Sequence, residues 1–435
     1  MKKFVSFLFV LSLLLSAKAF SQTWKYDGTP DTALKGNTHA IAVDPEGKVW
    51  FGSYYNDDSI KTGPTTYGKV KDIHVFNANG TQASFSPIQV LTVNGVADTL
   101  WNSSRGARAD NEGNILWASF ETIYKVNYKT GEGMNKFEIN SDGHGITAPS
   151  VDAAGNIYCR NVFPNYPVYL INPDFTSGGN AIDTVGGYSR TILVSSDGNT
   201  IYQAGYTLNS IVVYHRASEF DPYTVSDTIL KGFQCESIAW NPKTGYLWAS
   251  AGNVDFPPNQ YPGASTSYSV NTWYAYDVNS KTIVDSLHWY YQNIADSTAA
   301  TDPRPRAIAF SPTGDTAYVG CFNSPNAYMV ERFVHTVTAV RMTDNNVVKS
   351  FELSQNYPNP FNPTTEISFS VAKAGMVTLK VYDILGREVA TLVNENMSNG
   401  KYSISFDASK LSSGTYIYQL NANGVQISKK MMLLK

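Results

Sequence analysis

Hydrophobic and polar positions alternate in short bursts along residues 38–340, and one succession of them recurs. At its clearest, His39-Ala-Ile-Ala-Val runs into Asp44-Pro-Glu-Gly47, and the chain resumes with Lys48-Val-Trp50. The same alternation, polar corner, glycine and aromatic return spans Arg105–Trp117, Thr147–Tyr158, Arg190–Tyr202, Glu236–Trp248 and Arg306–Tyr318. A period of two puts alternate side chains on opposite faces of a strand. Asp, Asn, Ser or Pro followed by Gly is hairpin chemistry, since glycine takes the positive φ that a tight turn needs. The β-branched and aromatic residues after the glycine suit the returning strand. Third strands are expected at Asp72–Phe76, Ile123–Asn127, Val168–Asn172, Ile211–His215 and Trp273–Val278.

The corner residues Gly47, Gly113, Gly155, Gly198, Gly245 and Gly314 stand 66, 42, 43, 47 and 69 residues apart. Repeats of this length, with about four short strands each, predict a β-propeller. The expected fold is all-β, with a six-bladed propeller over residues 22–345. A degenerate seventh blade inside the first long interval is the alternative. Insertions at Tyr54–Tyr67 and Asn253–Asn271 account for the two long intervals. Two outer strands of the last unit are expected at Tyr328–Phe333 and His335–Arg341. Trp24-Lys25-Tyr26 is expected to pair with that unit and cover its edge. The Asp-x-x-Gly-Asn-Ile-Tyr/Trp units resemble those of NHL and YVTN-type propellers, streptogramin-lyase-like proteins and lactonases. That resemblance implies a blade and leaves the activity open.

A proline-rich stretch at residues 346–365 ends the repeats, and its Pro358, Pro360 and Pro363 admit neither a helix nor a central strand. Short alternating runs follow at Glu366–Val371, Met376–Tyr382, Glu388–Leu392, Tyr402–Phe406, Thr415–Leu420 and Val425–Leu433. Glycines between them predict a small β-sandwich over residues 366–435. The opening motif Tyr357-Pro358-Asn359-Pro360-Phe361-Asn362-Pro363 comes first, and the middle motif around Asp383-Ile-Leu-Gly386 follows. With Ser413-Gly414-Thr415-Tyr416 and the ending Lys429–Lys435, they resemble a type A sorting domain of the type IX secretion system. The resemblance implies the type IX translocon and its sortase as partners. It also implies passage through the periplasm, removal of the sorting domain, and a cargo attached at the cell surface or released.

The other end reads as an export signal over residues 1–21: Lys2 and Lys3, an apolar run Phe4–Leu15, and Ala17-Lys18-Ala19 for cleavage. That run is too short to span a bilayer, and no later segment is long and apolar enough. Charged residues make up only 16% and net charge is −3, so nothing recommends a nucleic-acid partner. Cys159, Cys235 and Cys321 lack metal-ligand spacing. They read as buried small hydrophobes, although Cys235 and Cys321 fall on neighbouring units, where a disulfide could join them.

Candidate chemistry is sparse. No zincin, Cys-x-x-Cys or EF-hand pattern is present, so neither a metal nor a cofactor is expected. Gly63–Val70 lacks the Ser/Thr and the following helix of a phosphate loop, and Gly187–Arg190 lacks the second glycine of a nucleophile elbow. The Asp-x-x-Gly corners are explained by turn formation without calcium. One constellation stands out: the residue opening each inner strand is His39, Arg105, Thr147, Arg190, Glu236 or Arg306. In a propeller these surround the channel mouth, where three Arg suit an anionic ligand. The plain alternative is a set of structural Arg–Glu pairs. Aromatic insertions Tyr54-Tyr55, Phe256–Tyr268 and His288–Tyr291 are expected on the same face. The favoured function is therefore a non-catalytic module binding a glycan or protein. The alternative is a lyase or lactonase using His39, Glu236 and an arginine, with His144 contributing.

Overall fold

The computed structural model describes residues 24–54, 58–251, 268, 272–289, 304–322, 326–335, 341–344, 348–409 and 411–435. The export signal, Tyr55, most of the Asn253–Asn271 insertion, Tyr290-Tyr291 and positions 336–340 lie outside these residues. Every regular element among the described residues is a β-strand. Two compact units divide at His335 and Thr336.

The first unit is a series of antiparallel meanders, numbered here in chain order. The first sheet is Thr38–Val43, Val49–Ser53 and Ile73–Phe76. The second is Ser104–Ala109, Ile115–Ser119, Thr122–Val126 and Gly133–Glu138, and the third Ser150–Val151, Ile157–Arg160, Tyr166–Ile171 and Gly178–Val185. The fourth is Ile192–Val194, Thr200–Gly205, Ser210–His215 and Thr224–Ile229, and the fifth Ile238–Trp240, Leu247–Ala251, Thr272–Asp277 and Thr282–His288. The sixth joins Arg304–Phe310, Thr316–Phe322 and Glu331–His335 to the N-terminal Trp24–Tyr26. The first long interval also holds two hairpins, Asp58–Lys61 with Tyr67–Val70 and Val90–Val93 with Val96–Thr99.

The repeated corners fold for one local reason. Asp44 Oδ1 accepts the amides of Glu46 and Lys48 at 2.9 Å, while Trp50 Nε1 donates to Oδ2 at 3.0 Å. Asp110 takes Glu112 and Asn114 the same way, and Asp152 takes Asn156 and the Tyr158 hydroxyl. These carboxylates are thus occupied in holding turns. The corner glycines have φ from +69 to +88, where a Cβ would be strained.

Alternation then binds each sheet to both neighbours. Ile115 and Trp117 pack against Ala40 and Trp50 of the first sheet, while Leu116 and Ala118 pack against Ile157 and Cys159 of the third. Tyr158 meets Ile192 and Ile201, Leu193 and Ala204 meet Ile238 and Ala249, and Ala239 and Trp248 meet Ile308 and Val319. Ala307 and Tyr318 of the sixth sheet pack on Ile41 and Phe51 of the first.

The outer strand expected at His335–Arg341 is not the fourth strand of the sixth sheet. Trp24–Tyr26 occupies that place, pairing Trp24 with His335 and Tyr26 with Phe333. The buried Trp24 indole packs edge-on to Trp248 and donates to Asp285 at 3.0 Å, so the sheet edge is already filled. Arg341–Asp344 instead pairs with Gly400–Asp407 in the second unit.

The second unit has two sheets. One orders Arg341–Asp344, Gly400–Asp407, Thr364–Val371 and Glu352–Leu353, and the other Glu388–Met397, Gly375–Tyr382, Gly414–Ala422 and Val425–Leu433. Ile367 and Phe369 of one share a core with Leu379, Val381, Tyr418 and Leu420 of the other.

Candidate functional site

Backbone irregularity places the inner-strand residues singled out above. Pairing skips His39 between Thr38 and Ala40, Arg105 between Ser104 and Gly106, and Arg306 between Pro305 and Ala307. Each is the extra residue of a bulge, which turns its side chain out of the ladder. The preceding residue spans the irregularity by bonding to the carbonyl two residues on. Thr38 donates to Ala40 O at 3.3 Å, Ser104 to Gly106 O at 3.3 Å and Ser189 to Thr191 O at 3.1 Å. Cys235 does the same around Glu236, its thiol donating to Ser237 O at 3.5 Å.

These side chains share one electrostatic neighbourhood. His39 is buried, and its Nε2 has no hydrogen-bond partner. Burial first, then the charges of Arg306, Arg190 and Arg105, hold its imidazole well below the usual range, so it is neutral at physiological pH. Arg306 Nε and Glu236 Oε2 form an ion pair in which both side chains are buried. Neither Glu236 oxygen completes a well-directed hydrogen bond. Thr147 is buried too, its hydroxyl donating to Ala148 O at 3.2 Å and accepting the Arg160 amide.

Aromatic rings line this set. His39 stacks on Tyr54 at 4.3 Å, and Arg105 lies over the same ring at 5.6 Å. Arg306 lies 4.7 Å from the centre of Phe322, and Arg190 5.7 Å from that of Tyr206. From Tyr206 an arc continues through Tyr188 at 5.9 Å and Phe163 at 4.9 Å to His144 at 4.2 Å. His144 thus stacks on Phe163 and joins the aromatic arc. Of the expected aromatic insertions, Tyr54 lies against His39, whereas Tyr268 packs on Phe233 at 4.1 Å. His288 bonds Thr272 at 2.9 Å, and Trp289 donates to Glu331 at 2.6 Å. Phe163, Tyr188, Tyr206 and Phe322 were missed from the sequence because they come from loops and strand ends outside the repeat.

A hollow of about 510 Å³ lies elsewhere, lined by Asp227, Leu230, Tyr268, Tyr276 and Lys281. Among the described residues no group of three His, Cys, Asp or Glu is placed to hold a metal. The three cysteines are buried and none is in a disulfide, so the Cys235–Cys321 bond is not formed. Cys321 packs in the core between the fifth and sixth sheets, and Cys235 in that between the fourth and fifth. Burial pushes the Cys235 thiol up to about 12, leaving it protonated.

The opening motif of the second unit lies along the edge of Val425–Leu433. Phe361, buried in the shared core, donates its amide to Met432 O and accepts that of Leu434, both at 2.9 Å. Asn359 Oδ1 accepts the Met432 amide at 2.8 Å, and the buried Asn356 bonds Pro358 O and Thr365. Pro358 and Pro360 follow cis peptide bonds, Asn362 is exposed and Pro363 O accepts the Ala408 amide. Tyr357 is left 82% exposed. Asp383 holds its turn by accepting Leu385 and Arg387 amides, with Gly386 at φ +79. Gly414 opens a strand, and Lys435 bonds Ser413 and Ser409.

Residues 355–434 match the family described as the secretion system C-terminal sorting domain. No curated protein matches the chain. Among solved structures the chain is similar to a streptogramin B lyase, with 14% identity and a TM-score of 0.46 over 71% of this chain and 97% of that one. A protein from Lactobacillus plantarum is 12% identical, with a TM-score of 0.43 over 88% of this chain and 95% of that one. The β-propeller domain of Cps50 (Swd1) from Myceliophteria thermophila is 10% identical, with a TM-score of 0.38 over 69% and 97%. The ordered motifs and the family match agree: residues 355–434 are a type IX secretion system C-terminal sorting domain, which indicates export to the cell surface or extracellular space.

Proposed function

We propose that the first unit is a six-bladed β-propeller that binds an anionic ligand at its channel mouth without turning it over. On this reading each of the six sheets is one blade, and Trp24–Tyr26 completes the last. The export signal at residues 1–21 directs the chain to the periplasm, and a surface sortase removes the sorting domain.

The observation carrying the reading is that the buried His39 lies against Tyr54 and Phe322, the rings that carry Arg105 and Arg306, while the charges of Arg306, Arg190 and Arg105 add to burial in opposing its protonation. The six ring positions hold three cations and one carboxylate, an excess of positive charge that favours a carboxylate or similar anion. Glu236, the one carboxylate among these six positions, is engaged by Arg306, which supports binding over the lyase-type alternative.

Calorimetric titration of the exported protein with sugar acids, acidic peptides and simple carboxylates tests this. At least one should bind, weaken tenfold or more with Arg190→Gln, and be recovered with unchanged mass. Absence of any binder in the set, or a bound compound returned altered, would contradict it.

A further inference from the structure

The third sheet departs from the repeat at one position. Two residues after the returning aromatic, the other sheets carry Gly52, Ser119, Ala204, Ser250 and Gly320, whereas the third carries Arg160. In two of them there is no room for more: a Cβ on Gly52 would stand 2.8 Å from Asp72 O, and one on Gly320 2.3 Å from Thr38 Cγ2. In the third sheet the inner strand is only Ser150–Val151. Arg160 is fully buried and donates to the carbonyls of Asn161 at 2.8 Å, Phe163 at 2.6 Å, Gly186 at 3.4 Å and Gly187 at 3.1 Å. A buried cation whose acceptors are all backbone carbonyls is a costly way to hold two loops. Those loops carry Phe163 and Tyr188. Further bonds fix them, from the Phe163 amide to Asn161 and from the Tyr188 amide to Thr207, both at 2.9 Å.

Phe163 and Tyr188 are half-buried, and Tyr188 leads through the buried Tyr206 to Arg190, whose Nε is buried without a hydrogen-bond partner. We propose that this row of rings is a subsite for a sugar acid, a proposal that rests on the anion-binding reading above. The apolar face of the pyranose stacks on Tyr188 with Phe163 beside it, and its carboxylate takes the terminal N–H groups of Arg190 as a fork. Rings tilted by 57° with centres 4.9 Å apart form a corner that takes a chair-shaped pyranose against the face of one ring and the edge of the other. A peptide side chain would instead be anchored by a deep pocket.

The full chain is titrated by calorimetry with digalacturonate, a hyaluronan tetrasaccharide and N-acetylneuraminate, alongside methyl-esterified digalacturonate and tetraglutamate. Saturation transfer from the aromatic protons identifies stacked sugars. At least one sugar acid should bind and receive saturation. Its affinity should fall tenfold or more with Arg190→Gln, Tyr188→Leu and Phe163→Ala, the last of which keeps the carbonyl that Arg160 holds. If digalacturonate is the binder, its ester should be at least tenfold weaker. Unchanged tryptophan-monitored melting certifies that each variant is folded. Binding of tetraglutamate alone, lost in Arg190→Gln, would overturn the sugar assignment and leave the anion-binding reading standing. No binding by any carboxylate would overturn both, and equal affinity for the ester would overturn the fork at Arg190.

Discussion

Arg306 of the sixth sheet and Glu236, two residues before the fifth sheet begins, form a buried ion pair. Removing one member leaves the other charge buried without its counter-ion, which typically costs about 3–5 kcal/mol. Glu236→Gln should destabilise the first unit by roughly that amount. All eight tryptophans lie before residue 336, so urea unfolding followed by their fluorescence reports this unit alone. An unchanged midpoint would mean that the pair plays no part in holding the sheets together.

Proton linkage gives a second test. His39 is held below its usual value of 6.5 by burial and the three arginines. Between the lowered folded-state value and 6.5, the unfolded chain holds a proton that the folded chain refuses. The stability His39 contributes is therefore full above that window and falls with decreasing pH, by up to about 1.4 kcal/mol per pH unit. Asp72 acts oppositely: burial pushes its carboxyl up to about 7, so its contribution declines as pH rises towards that value. The stability of wild type relative to His39→Leu cancels the Asp72 effect and should fall from pH 7 to pH 5. A flat difference would place His39 in solvent.

Cys235 does the work that serine or threonine does in three other repeats, donating across the ring residue that follows it. Cys235→Ser should therefore keep stability within about 1 kcal/mol, the net worth of a typical hydrogen bond. Thiol titration should find no reactive cysteine in the native protein and three after denaturation. Two missing thiols on denaturation would reveal a disulfide.

The sorting domain yields a test of address and packing together. Deleting residues 351–435 should leave the propeller unit in the periplasm, read by fractionation. Phe361→Ala should destabilise the second unit by about 3–5 kcal/mol and reduce surface delivery, because Phe361 is buried and bridges to the last strand. Normal delivery of the truncated chain would contradict the export route.

What could be read from the sequence was local. The Asp44, Asp110 and Asp152 corners each close within about six residues, so their turns were legible. The inner-strand positions could be read through their register, although the bulges that turn His39, Arg105 and Arg306 out of their ladders leave no mark in composition. The arc of Phe163, Tyr188 and Tyr206 was not legible, since loops from neighbouring sheets meet only after folding. Arg160 was visible in principle as the one large residue where five repeats have a small one. That Arg341–Asp344 pairs with Gly400–Asp407 was not legible, because a four-residue strand carries no signal of which edge it will join.

The most direct measurement is the titration of the His39 imidazole by NMR on histidine-labelled protein, with and without a bound carboxylate. Without ligand, His39 should stay neutral down to well below pH 6.5, because three guanidiniums and burial oppose its charging. An anion seated among those guanidiniums offsets their field, so saturating carboxylate should raise the His39 pKa, and binding should tighten as pH falls. A His39 that titrates near 6.5 and does not move when carboxylate is added would contradict the account.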